Sequence, residues 1–218
     1  VDDIRASMME DEEFADYVFP ILRYHSRWQE LTSDDFKYLF TRRPVSQSGY
    51  YMRIDVKPAQ TFPKPKKLAN YEFGENSWKY LEKMRKLCEE KGIQLILVKA
   101  PSLYPAWYDE WEDQIEEYAK TYELPYYNFL DLPDAVGIDF TKDTSDGGLH
   151  LNLSGAEKMG AYFGKILREE FQVPDRRNDE KIASVWAEKC AAYYDMEKRQ
   201  QEELDTYGYL KMFNSDKE

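Results

Sequence analysis

Gly92-Ile93-Gln94-Leu95-Ile96-Leu97-Val98-Lys99-Ala100-Pro101 is the stretch on which the fold turns. Residues 93–98 are apolar except for Gln94, the pattern of a strand covered on both faces and hence of a parallel sheet, and Pro101 closes it. Upstream, Trp78, Leu81, Met84 and Cys88 share one face of a helix that begins near Asn76, and Gly92 occupies the left-handed position of its C-cap. Downstream, Trp111, Ile115, Tyr118, Ala119 and Tyr122 repeat the helical period, and residues 126–130, after Pro125, read as another strand. A last periodic series, Met159, Phe163, Ile166 and Leu167, follows Ser154-Gly-Ala-Glu157, which has capping-box spacing. Helix, strand, helix, strand, loop, helix is the order of an α/β fold.

Around this regular part the chain is less ordered in pattern. Phe14, Tyr17, Val18, Ile21 and Leu22 keep a helical spacing that Pro20 interrupts, so short helices and turns are expected in the first forty residues. In residues 48–56, Tyr50, Met52, Ile54 and Val56 alternate with Tyr51, Arg53 and Asp55, which predicts a half-buried strand. Three prolines in residues 58–65 predict an extended connector. After Pro174-Asp-Arg-Arg177 a further helix carries Ile182, Val185, Trp186 and Tyr193 and runs into the charged residues 197–205, read as a solvated helix or a partner contact. One domain is expected, with an insertion-like helical and extended region in 1–70, an α/β core in 71–172 and a helical extension in 173–218.

The 218 residues carry a net charge of −12, which disfavours phosphate backbones and anionic lipid surfaces, so nucleic acid is not an expected partner. Aromatic residues form 16% of the chain, with 18 tyrosines, a content suited to a large core and to grooves for neutral or sugar-like ligands. Cys88 and Cys190 are far apart and lack metal-ligand spacing. No apolar run approaches the ~20 residues of a membrane helix, and no signal peptide is present. The chain opens on Val1-Asp-Asp-Ile without methionine and reads as part of something longer.

The chemistry concentrates in Asp143-Thr-Ser-Asp146-Gly-Gly-Leu-His150-Leu-Asn152, which holds one of the two histidines just before a helix start. A neutral imidazole takes a proton from a serine hydroxyl, and a nearby carboxylate fixes its tautomer and stabilises the imidazolium that forms. The competing reading makes Asp143 and Asp146 turn and cap residues, Gly147 and Gly148 a tight bend, and His150 a packing residue. No metal or cofactor is expected, because the loop lacks the calcium-binding pattern and no second histidine lies near. Ligands of open parallel sheets bind beyond the carboxyl ends of the strands, so Pro101-Ser102-Leu103-Tyr104 and the 143–150 loop are expected to face one pocket, with Ser102, Tyr104 and Asn152 as candidate lining residues. The other histidine, His25, sits among Arg23, Tyr24, Arg27 and Trp28, a cluster suited to an anionic or sugar ligand or to structural packing.

Asp146-Gly-Gly-Leu-His150-Leu-Asn152, followed by Gly155-Ala156 and a helix, resembles the last conserved block of SGNH (GDSL-like) hydrolases, where an Asp-x-x-His pair completes a Ser-His-Asp triad. The element order, the proline after residues 93–99 and Arg23-Tyr24-His25-Ser26-Arg27-Trp28 resemble bacterial SGNH proteins of cell-envelope O-acylation, akin to accessory proteins of teichoic-acid D-alanylation and alginate O-acetylation. The likeness covers most of the chain and is specific around His150. It implies a three-layer α/β/α sandwich with a parallel sheet, flavodoxin-like and incomplete at the N-terminus. It makes His150 the general base and Asp146 its orienting carboxylate. The family places two residues between acid and histidine, whereas three separate Asp146 from His150, so Asp143 stays as the alternative acid.

No glycine-framed serine elbow accompanies the loop, and the family's oxyanion glycine and asparagine blocks are not recognisable; Ser26, Ser48 and Ser102 are the serines to test. The resemblance therefore implies the C-terminal part of a serine esterase or O-acyltransferase whose nucleophile lies outside this chain, which is inactive as it stands. Its substrate would be an acylated cell-envelope glycan or a small ester, its partner a membrane-bound O-acyltransferase, and its location extracytoplasmic, anchored through an upstream segment. A noncatalytic carbohydrate-binding or assembly module of the same fold is the other reading. Oligomeric state is left open.

Overall fold

The computed structural model describes residues 2–8, 12–19, 30–33, 36 and 49–213. The expectations for His25 and its neighbours, for Ser26 and for Ser48 fall outside these residues. The chain divides into two compact units, Val1–Ser46 and Gln47–Glu218. In the first, α1 (Asp2–Ser7) and α2 (Phe14–Val18) are short, and the Arg5 guanidinium lies 5.1 Å from the centre of the Phe14 ring.

The second unit is built mainly from helices. The first, α3 (Glu75–Lys91), ends as its sequence predicts: Gly92 adopts φ 64° and ψ 34°, and the N–H groups of Gly92 and Ile93 donate to the carbonyls of Glu89 and Cys88 in a Schellman turn. Strand β1 (Leu97–Lys99) pairs in parallel with β2 (Tyr126–Asn128), Leu97 opposite Tyr126 and Lys99 opposite Asn128, with α4 (Asp109–Thr121) as the crossover. Then follow a short α5 (Pro133–Val136), α6 (Leu153–Glu169) and a 28-residue α7 (Glu180–Tyr207).

A three-layer sandwich does not form. Among the described residues the sheet has two strands of three residues each, and helix predominates. The apolar run that predicted a strand over 93–98 enters the ladder only at Leu97, and Ile93 and Val98 are 57% and 45% exposed. Continuous hydrophobicity marks a strand covered on both faces only where neighbours and helices exist to cover it, and here β1 has a single neighbour. Residues 126–130 likewise shorten to three paired positions.

The described part of the alternating segment, residues 49–56, forms no strand either, and its burial alternates only locally: Met52 is 2% and Tyr51 63% exposed, but Val56, expected on the covered side, is 53% exposed. Its backbone partners are not a strand. The side chain of Gln200, on α7, accepts from the Ile54 N–H at 3.1 Å and donates to the Met52 carbonyl at 2.9 Å, and the Leu153 N–H donates to the Arg53 carbonyl at 2.7 Å. One amide side chain thereby imitates the edge of a sheet. The charged run 197–205 that contains Gln200 is helical throughout.

The core gathers around Phe129, which is fully buried, with Leu103, Val136, Ile138 and Phe140. Helix α6 closes it with Met159, Tyr162, Phe163 and Ile166, so three of the four residues of the sequence series on this helix face inward. A second aromatic group, Tyr71, Phe73, Trp78, Trp107, Tyr108 and Trp111, packs ring against ring between α3 and α4. Gln114 fixes the connector beside it by accepting from the Phe73 N–H at 3.1 Å and donating to the Tyr71 carbonyl at 2.9 Å. Among the described residues no helix is long and apolar enough to cross a membrane.

Candidate functional site

The loop between β2 and α6 doubles back on itself. Thr144 and Leu151 form an isolated antiparallel bridge, the Ser145 N–H donates to the His150 carbonyl at 3.2 Å, and Gly147 and Gly148 turn the chain with φ of 82° and 107°. At Gly148 the glycine is also required sterically, since a Cβ there would lie 2.6 Å from Leu103 Cδ1. The fold-back brings a carboxylate and an imidazole four positions apart into contact. Asp146 Oδ2 lies 2.5 Å from His150 Nδ1, while Oδ1 accepts from the N–H groups of Leu149 at 3.1 Å and His150 at 2.7 Å. Burial alone pushes the Asp146 carboxyl up, but the bonds from His150 and Leu149 outweigh it and hold it below its ordinary value. With both oxygens occupied, Asp146 fixes the imidazole so that Nδ1 faces the acid and Nε2 is the free nitrogen. Nε2 has no partner among the described residues, and the His150 side chain is 71% exposed.

Asp143 has different surroundings. Its side chain is 1% exposed and accepts from the Asp139 N–H at 2.8 Å, Ser154 Oγ at 2.8 Å and Lys158 Nζ at 2.6 Å. Burial pushes this carboxyl up as well; the Asp139 N–H, Lys158 and Ser154 together bring it below its ordinary value. It ties the loop to the first turns of α6 and does not touch the imidazole.

Asn152 is the N-cap of α6, its Oδ1 accepting from the Gly155 N–H at 3.1 Å and its Nδ2 donating to the Lys142 carbonyl at 2.8 Å. The cap is therefore Asn152 and not Ser154, whose hydroxyl is turned to Asp143 instead. Ser102 shares its single hydroxyl proton between the carbonyls of Tyr104 and Leu149, both at 2.8 Å. Lys99 steadies the same turn by donating to the carbonyls of Ala100 at 2.8 Å and Ser102 at 3.2 Å.

A cavity of about 680 Å³ opens beside the imidazole. Leu151, Ala156 and Met159 supply apolar wall, Ser102, Asp146 and His150 one polar side, and Tyr50, Tyr51 and Arg53 the other. The structure thus brings Ser102, Asp146 and His150 to one cavity; Asn152 and Tyr104 are not among its lining residues, and His25 lies outside the described residues. Arg53 is the addition that sequence reading passed over. It was visible only as a polar residue in an alternating segment, because its approach to His150 depends on long-range contacts. Its guanidinium donates from Nε to Asp55 Oδ1 at 2.9 Å and from Nη2 to Oδ2 at 2.5 Å, and lies 4.5 Å from the centre of the Phe213 ring. The paired Asp55 raises its pKa, against some burial, and Asp146 adds to the same field.

A second cavity, of about 630 Å³, is lined by Phe62, Trp107, Ile138 and Phe140 and holds no imidazole, so the chemistry belongs to the first. No group of side chains among the described residues has the makings of a metal site. A scan against protein-family models finds no match for this chain, and neither a search of curated proteins nor one of solved structures finds a match.

Proposed function

We propose that this chain carries the acid–base part of a serine esterase or O-acyltransferase, with His150 as general base and Asp146 as the residue that orients it. The observation that carries this reading is the Asp146–His150 contact at 2.5 Å, at the rim of a cavity, with Nε2 left without a partner among the described residues. In acyl transfer the imidazole takes the proton of an attacking hydroxyl through Nε2 and returns it to the leaving oxygen, while the carboxylate stabilises the imidazolium between the two steps. Ser102 is a poor nucleophile for this, since its proton is held by two backbone carbonyls. The SGNH resemblance of the His150 block is what assigns the nucleophilic serine to a segment outside this chain, and the substrate class to acyl esters of cell-envelope glycans or related small esters; Ser26 and Ser48 lie outside the described residues.

The test compares p-nitrophenyl acetate hydrolysis by this chain, by a longer protein including the sequence encoded upstream, and by the His150→Ala form of each. Activity confined to the longer protein and lost with His150 is the expected result. Activity in the short chain would move the nucleophile to Ser102 or another internal residue, and activity indifferent to His150 would overturn the assignment of the base. Exposed Tyr51 beside Tyr50 at the same cavity favours one alternative, a noncatalytic carbohydrate-binding module, whose mark is ligand binding that survives His150→Ala.

A further inference from the structure

Arg53 is held in place more firmly than a residue in an extended segment needs to be. Its carbonyl accepts from the Leu153 N–H at 2.7 Å, and the residues on either side are clamped by Gln200. Its guanidinium is set between Asp55 and the ring of Phe213. Such multiple support is what fixes a side chain for recognition.

A guanidinium has five N–H donors, and Asp55 takes one from Nε and one from Nη2. Nη1 has no partner among the described residues, so one donor on Nη1 and one on Nη2 remain along the terminal edge of the fork, with the second Nη1 N–H to the side. That edge is a bidentate receptor for a planar or tetrahedral oxyanion. The nearest comparable groups do not compete for it: both Asp146 oxygens are engaged by His150 and two backbone N–H groups. The remaining walls of the cavity, Leu151, Ala156 and Met159, suit the uncharged part of a small ester.

We propose that Arg53 is a specificity-determining residue that anchors a carboxylate or phosphate group of the substrate in the cavity it shares with His150, so that the site takes anionic in preference to neutral esters. This rests on the acyl-transfer reading for the identity of the bond attacked, and on the cavity alone for the anion. No covalent step is added. The anion is held by hydrogen bonds and charge while the ester carbonyl lies toward the imidazole.

The experiment uses this chain with ¹³C-labelled histidine, whose two imidazoles are separable because His150→Ala removes one signal. Monomethyl succinate and dimethyl succinate are titrated, with acetate and inorganic phosphate as competitors. The monoanion is expected to shift the His150 signal at concentrations about tenfold below those the neutral diester requires, a difference that Arg53→Gln abolishes. Arg53→Lys, which keeps the charge and loses the fork, is expected to bind between the two.

Should Arg53→Gln fail to fold, Asp55→Asn carries the test: an amide keeps a single acceptor oxygen, so it releases one further donor and removes a negative charge, and is expected to tighten monoanion binding. Competition by acetate or by phosphate tells which anion the fork prefers; competition by neither overturns the proposal. So does equal binding of the two esters, or monoanion binding unchanged in Asp55→Asn. Failure of the acyl-transfer reading would appear separately, as hydrolysis indifferent to His150 with the anion preference intact.

Discussion

Asp143 and Asp146 stand three positions apart in one loop, and their surroundings give them separate work. Asp143 is enclosed and accepts from the Asp139 N–H, Ser154 Oγ and the part-exposed Lys158, so removing its carboxylate leaves the first two without their acceptor in a closed pocket. Asp143→Ala is expected to lower stability by about 2–4 kcal/mol, read from urea denaturation. The pH dependence follows from the direction of its shift. A carboxyl held below its ordinary value adds stability that is present above the unfolded value, about 3.9, and is lost as pH falls through the lower folded value. Wild-type protein should therefore lose denaturation midpoint steeply below about pH 4, and Asp143→Asn should show a shallower fall over the same range. Asp146→Asn should behave in the opposite sense: stability changes by less than about 1 kcal/mol, while under the proposed acyl-transfer function hydrolysis drops at least ~10²-fold, because the tautomer of His150 is no longer set. Equal losses of activity in the two variants would reject Asp146 as the orienting acid. His150 and its two candidate acids were legible from sequence because all three lie within eight residues of one loop, whereas which of the two contacts the imidazole was left open. Arg53 was not legible, since its place at the cavity depends on contacts distant in sequence, with Leu153, with Phe213 and, through its neighbours, with Gln200, 146 positions beyond Ile54.

At the scale of elements, helices were readable where a local rule fixed them. The left-handed Gly92 ends α3 where the sequence places it, although Met84 on the expected apolar face is 50% exposed, and three of the four residues of the apolar series on α6 cover the core. The places of β1 and β2 were readable but their extent was not, because a ladder needs partners that lie elsewhere in the chain: residues 93–98 are apolar enough for a covered strand, and only three positions from Leu97 onward find one. Residues 50–56 alternate in sequence but not throughout in burial, and find Gln200 and the start of α6 in place of a neighbouring strand. Two predictions belong here. Gln200→Ala removes both bonds of the clamp and should cost about 1–3 kcal/mol, with faster amide exchange at Ile54 than at the paired positions of β1 and β2; unchanged exchange would show that the clamp is dispensable. Gly155→Ala tests how closely α6 seats on the loop. A Cβ at Gly155 would lie 2.5 Å from the Asp143 carbonyl oxygen and 3.0 Å from Asp143 Cβ, so backbone must shift, and a loss of about 1–3 kcal/mol in the same denaturation assay is expected.

For the whole molecule, composition made one physical statement that the fold leaves standing: 42 acidic residues face 30 basic ones. The ion pairs among the described residues are largely local, such as Arg85 with Glu82 and Glu89 or the exposed Lys198 with Glu202, and such pairs stabilise only slightly. The residual charge of −12 acts over longer distances. At ~10 mM salt the Debye length is about 30 Å, comparable with a domain, so the negative charges repel one another across the molecule; near 150 mM it shrinks to about 8 Å, which leaves contact pairs partly intact and removes most of the distant repulsion. The thermal midpoint should therefore rise by a few degrees as sodium chloride increases from about 10 to 150 mM at pH 7. A fall over that range would mean that the local pairs outweigh the long-range repulsion, and Lys198→Ala would then be expected to remove part of the salt sensitivity, where under the repulsive regime it increases it by adding one more uncompensated negative charge.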